Sequence, residues 1–70
     1  MVVSYTKLWK LLLDKKLKRI DLRKLAGMSS HTLAKLGKDE SVSLETLGRI
    51  CAALDCNIGD IVDFVSLEIL

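Results

Sequence analysis

Apolar residues recur at helical spacing in five stretches, separated by short polar or glycine-bearing joints. From Tyr5 to about Lys16, the polar residues Lys7, Lys10 and Asp14 stand at i, i+3 and i+7, so they share one face of a helix. Leu8, Trp9, Leu11, Leu12 and Leu13 fill the remainder, an unusually wide apolar surface, and Ser4 or Thr6 can cap its start. Lys15 to Arg19 (KKLKR) is a basic connector anchored by Leu17. The pattern predicts a second helix from about Ile20 to Ala26, with Leu22, Leu25 and Ala26 inward and Asp21 at the positive end of the dipole. Lys18 and Arg19 occupy the place of the usual N-cap, so this start is expected to fray.

Gly27 follows at once, and a glycine just past a short helix supplies the left-handed backbone that stops it. Met28 is expected to turn inward, and Ser29 offers an oxygen to the free amides of a third helix, Ser30 to about Leu36. That helix buries Leu33 and Leu36, exposes Ser30, His31, Ala34 and Lys35, and is expected to end at Gly37. After a polar loop (KDESV), Ser43 caps a fourth helix whose inward stripe is Leu44, Leu47, Ile50, Cys51 and Leu54. Asn57 and Asp60 resemble a capping box for a fifth helix carrying Ile58, Ile61 and Val62. The tail FVSLEIL is either helix or a strand pairing with Val2 and Val3, and periodicity does not separate the two over so few residues.

Composition agrees with one small all-helical domain spanning residues 1–70. Leucine dominates, half of the 70 residues are apolar, and proline is absent. A chain of this length buries only about 60% of its unfolded surface. The residues beside the main stripe (Tyr5, Trp9, Leu13) and those of the tail (Phe64, Val65, Leu67, Ile69, Leu70) are therefore more apolar surface than one copy covers. Residues 65–70, with the N-terminal arm 1–4, are expected to form a homodimer contact.

Charge divides the chain. Residues 1–38 carry ten Lys/Arg against two acids, a formal +8, whereas residues 39–70 carry one Arg against seven acids, a formal −6. A basic half beside an acidic half suits one face for a polyanion and another turned from it. The same asymmetry is also compatible with two solvated surfaces of unequal decoration, and KKLKR with either a solvated turn or attraction to a nucleic-acid backbone.

Other chemistries find little material. No stretch approaches the roughly 18 uncharged apolar residues of a membrane span, and no secretory leader pattern opens the chain. Cys51 and Cys56 with one distant histidine do not make a four-ligand zinc site. They read as small core hydrophobes in a reduced, cytoplasmic setting. No nucleophile–base pair, metal cluster or phosphate loop can be assembled, so an enzyme, a cofactor and a small-molecule ligand are not expected.

A helix, a glycine turn and a serine-capped helix whose inward leucines lock their crossing angle leave the outer face of the second helix free to approach base edges. On this text the chain resembles DNA-binding domains of the phage Cro and repressor (XRE-like) helix-turn-helix family, particularly its short stand-alone bacterial members. The matching segments are LWKLLLDKKLKRIDLRKLAGMSSHTLAKLGK and SVSLETLGRICAALDCNIGDIVDF, roughly Tyr5 to Phe64. The resemblance implies a five-helix repressor-like domain with the helix-turn-helix at helices 2 and 3. Helix 3 would read the major groove, with dimers on two half-sites of a palindromic operator. Carried over residue by residue, it implies base-edge contact by Ser30, His31, Ala34 and Lys35. Phosphate contact falls to Arg19, Arg23, Ser29, Thr32 and Lys38. Arg23 departs from the family, which commonly has alanine there; either its stem snorkels outward toward the DNA backbone or the two motif helices stand wider apart. His31, the only histidine, is otherwise surface decoration. The implied function is sequence-specific double-stranded DNA binding by a repressor-like transcriptional regulator. The alternative is an antitoxin-type module whose acidic half grips a protein partner while the helix-turn-helix autoregulates.

Overall fold

In the computed structural model, which describes residues 1–66, four α-helices lie between two short strands that join the ends of the chain. Strand β1 spans Val2–Ser4; helices α1 to α4 span Thr6–Asp14, Arg19–Ala26, Ser30–Gly37 and Leu44–Leu54. A single 3-10 turn, Ile58–Asp60, precedes β2, Asp63–Val65. The strands pair antiparallel, with Val2 opposite Val65, Val3 opposite Phe64 and Ser4 opposite Asp63. The architecture is thus mostly helical rather than all-α.

One expectation is corrected here and one open alternative is decided. The fifth helix is only a 3-10 turn: the Asp60 carboxylate accepts the Asn57 amide at 2.9 Å as expected, but the turn ends at Ile61 and the chain runs into β2. A helix this short gains little over its nucleation cost. The β-branched residues that follow, Ile61, Val62 and Val65, favour the extended chain, and β1 offers them a ladder. The tail alternatives therefore resolve to a strand for Asp63–Val65, paired with the N-terminal arm as that alternative had it. Leu67, Ile69 and Leu70, also assigned to the tail contact, lie outside the described residues.

Tyr5, between β1 and α1, ties the sheet to the helices. It is essentially buried. Its hydroxyl donates to the Glu40 carbonyl at 2.8 Å, and its amide donates to Asp39 Oδ1 at 3.1 Å. Burial pushes the phenol pKa up, opposed by the Val42 backbone and reinforced by the Asp39 charge, so the hydroxyl is a standing donor at neutral pH. The loop that follows α3 is held by this clasp. At the start of α1, the Ser4 hydroxyl reaches the Thr6 amide only at 3.4 Å.

The core joins Leu8 and Leu12 of α1, Leu22 and Ala26 of α2, Met28, Leu36 of α3, Leu47, Ile50 and Leu54 of α4, and Ile61. Two residues expected inward are not there. Leu25 is 57% exposed and Leu44 is 77% exposed. On a helix turning about 100° per residue, the face of α2 centred between Leu22 and Ala26 leaves Leu25 on its flank. Leu44 is the first residue of α4, one turn before the buried stripe begins at Leu47, and Val42 from the loop packs on the core instead. Leu13, part of the wide apolar surface of α1, also faces solvent.

The joints around α2 and α3 are well closed. α2 begins at Arg19 with no side-chain N-cap, as expected, but Asp21 Oδ2 accepts the Lys18 amide at 2.8 Å. Acceptance by the third helical residue replaces the missing N-cap side chain. Gly27 has φ 65°, and its amide and that of Met28 both donate to the Arg23 carbonyl. An added Cβ at Gly27 would meet nothing within 4 Å, so the cost of a side chain there is purely that of a left-handed backbone. Gly27→Ala should destabilise the domain by about 1–2 kcal/mol. The urea midpoint measures this, and an unchanged or higher midpoint would contradict it.

Gly37 does not terminate α3 as expected; it is the last residue inside it. The reversal falls on Asp39, at φ 54°, with the Glu40 amide donating to the Lys35 carbonyl at 2.9 Å. Aspartate tolerates the left-handed region better than most residues, and its side chain is rewarded there by the Tyr5 amide.

Candidate nucleic-acid interface

α3 is placed by contacts at its start, along its inner side and at its end. Ser29 Oγ accepts the Thr32 amide at 3.1 Å and lies 3.1 Å from the Thr32 hydroxyl, capping its start. Leu36 is fully buried and Leu33 half-buried on its inner side. The Tyr5 clasp holds the chain beyond its end. What remains outward is Ser30, His31 and Ala34, all exposed, flanked by half-buried Thr32 and Lys35. Lys35 is thus less open than expected. The face is small and polar, and Ala34 at its centre presents only a methyl group. Eight residues make a helix of about 12 Å, commensurate with a major groove about 12 Å wide.

Four of the five residues assigned to phosphate divide between the two ends of this helix. Ser29 and Thr32 stand together at its N-terminal end, where backbone amides and the helix dipole favour an anion. Arg19 and Lys38 belong to the other end. Arg19 is exposed, with its guanidinium carbon 3.9 Å from the centroid of the Trp9 ring. Its Nη1 lies 3.2 Å from where a Cβ on Gly37 would stand. Lys38 is exposed and follows Gly37 directly. Arg23 is half-buried on α2, with its backbone carbonyl committed to the Gly27 turn.

Three features of this region escaped sequence reading. The Trp9–Arg19 stack joins residues ten apart on different helices, and no periodicity signals it. The close approach at Gly37 has no left-handed φ to mark it. The Tyr5–Asp39 clasp spans 34 positions.

Away from this face the surface mixes basic side chains, among them Lys7, Lys10, Lys15 and Lys16, with an apolar patch. A groove of about 410 Å³ is lined by Val3, Leu44, Leu47, Ile58, Val62 and Phe64, among others, and its rim includes the exposed side chains of Leu44 and Phe64. Cys51 and Cys56 are free, half-buried and packed against the core. Burial, with a smaller contribution from Cys51 beside it, pushes the Cys56 thiol pKa up. Among the described residues no group of three or more His, Cys, Asp or Glu is placed to hold a metal. No helix among them is long and apolar enough to cross a membrane.

Comparison with known proteins places this geometry. Residues 7–66 match the Cro/C1-type HTH DNA-binding domain. The chain is similar to a solved structure described as transcriptional regulator VanUg, with a TM-score of 0.87 and 53% sequence identity over 89% of this chain and 83% of that one. No curated protein matches significantly.

Proposed function

This chain belongs to the Cro/C1-type helix-turn-helix DNA-binding family, and from that premise we propose that it is a transcriptional regulator reading double-stranded DNA with α3 in the major groove. The observation that carries the proposal is the outward Ser30–His31–Ala34 face on a helix fixed at its start, inner side and end, with basic residues near its C-terminal end. Ser30, His31 and Lys35 supply hydrogen-bonding groups to base edges, and Ala34 a methyl for close apolar contact. Ser29 and Thr32 at one end, with Arg19, Arg23 and Lys38, hold the backbone and set the register. Membership in this family, together with likeness to a protein described as a transcriptional regulator, supports regulation and gives no support to the antitoxin alternative or to an enzyme. The proposed mode is repression by occupying a promoter, in the cytoplasm.

The active form is a homodimer on a palindromic site. The exposed Leu44, Ile58, Phe64 and Val65 give one copy an apolar surface beside the two-stranded sheet, and a second copy related by a two-fold axis covers it. Sedimentation at micromolar concentration tests the dimer, which a clean monomer would contradict.

Selection of bound sequences from random duplex DNA tests the function. The expected result is an enriched palindromic motif. Substituting Ser30 or His31 should change the selected bases, whereas Lys38→Ala should weaken binding on all sequences alike. Failure to enrich any motif at moderate salt would overturn sequence-specific binding.

A further inference from the structure

We infer that Trp9 and Gly37 together form a seat that orients the Arg19 guanidinium as a preorganised phosphate clamp, so that Trp9 is a positioning residue for DNA binding. The inference rests on the DNA-binding proposal above and deepens it.

Arg19 is the first residue of α2, where the positive end of the helix dipole repels a cation. Its long side chain therefore gains by leaving that end. It crosses to the Trp9 ring, which packs against the core and takes the guanidinium on its face at 3.9 Å. From there Nη1 reaches the last residue of α3, Gly37, passing 3.2 Å from the position a Cβ would occupy. The C-terminal end of α3 carries the negative end of its dipole, which favours the cation. Three helices thus contribute to placing one side chain.

Stacking uses the flat face of the guanidinium and leaves its N–H groups, which lie in the plane, available at the edge. Those donors match two phosphate oxygens in a forked pair. An arginine already held in one orientation loses less freedom when the phosphate arrives. Gly37 belongs to the same device. Its φ is not in the left-handed region, so glycine is not needed for the local fold. Without a side chain there Nη1 passes freely, whereas a Cβ would make the guanidinium end give by a few tenths of an ångström.

The test measures affinity and salt dependence on a mixed-sequence duplex, because phosphate contact needs no operator. Arg19→Gln should reduce the slope of log affinity against log salt by about 0.9 per chain. Trp9→Leu should weaken binding roughly two- to fivefold, and Trp9→Phe, which keeps an aromatic face, should restore most of that loss. In an Arg19→Gln background, Trp9→Leu should have no further effect. Gly37→Ala should leave thermal stability unchanged or raised, since alanine is the better helix former, while weakening binding by less than Trp9→Leu does, because the guanidinium end need shift only slightly. Trp9 is the only tryptophan, so its emission reports the seat in the free protein and should shift in Arg19→Gln.

Equal losses from Trp9→Leu with and without Arg19, or emission indifferent to Arg19→Gln, would overturn the seat while leaving DNA binding intact. A wild-type chain that binds no duplex would remove the DNA proposal and the clamp together.

Discussion

Leu22→Ala should lower the unfolding free energy by about 2–5 kcal/mol. Leu22 is fully buried at the centre of α2, the first helix of the motif, and α2 packs chiefly on α4. A domain of this length is stable by roughly 4–10 kcal/mol, so the variant should sit near its unfolding transition under mild conditions. The upper part of the range applies, because the close-packed core that Leu22 shares with α4 cannot collapse fully into the space left behind. Urea titration followed by Trp9 emission measures the change. A loss below about 1 kcal/mol, the size expected at a surface site, would show that Leu22 does not anchor α2 in the core.

Raising salt from about 50 to about 200 mM should weaken binding to a mixed-sequence duplex on the order of 10³-fold. The estimate follows from the proposed contacts. Arg19, Arg23 and Lys38 are three cations per chain, hence about six in the proposed dimer, and each neutralised phosphate contributes about 0.9 to the slope. The +8 half supplies further long-range attraction, which salt screens as well. Lys38→Ala should flatten the slope by about two in the dimer, one phosphate per chain. Fluorescence anisotropy across a salt series measures both. A slope below one would leave the basic half as mere surface decoration and remove the backbone contacts on which the proposed docking depends.

The motif itself was legible because its signals are local. Gly27 adopts the left-handed turn expected of it, Met28 goes inward, and Ser29 caps α3 through the Thr32 amide. Each outcome depends on residues within a few positions. The outward placement of Ser30, His31 and Ala34 follows from helical period once Leu33 and Leu36 are taken inward. At the start of α2, Asp21 stands in the first turn as expected, and its carboxylate also accepts the Lys18 amide, a local contact that the residue types alone did not single out.

Other elements depended on distant parts of the chain. Leu25 and Leu44 satisfy the spacing of a core residue, yet α2 and α4 turn their buried faces elsewhere. Two packed helices settle their rotation jointly, to within a few tens of degrees, and one sequence pattern leaves that margin open. Asp63–Val65 became a strand because Val2–Ser4 lies beside it, and a partner some sixty residues away leaves no mark on local periodicity.

By itself, then, the sequence determined where the chain turns, which face of α3 is polar, and which half carries the positive charge, since each is a property of neighbouring residues. Tertiary structure alone decided how those parts are held: the strand pairing of the two ends, the Tyr5 clasp on Asp39 and Glu40, and the stack of Arg19 on Trp9 beside Gly37. These contacts join residues that the chain order separates, and only the packing of the helices against one another brings them together.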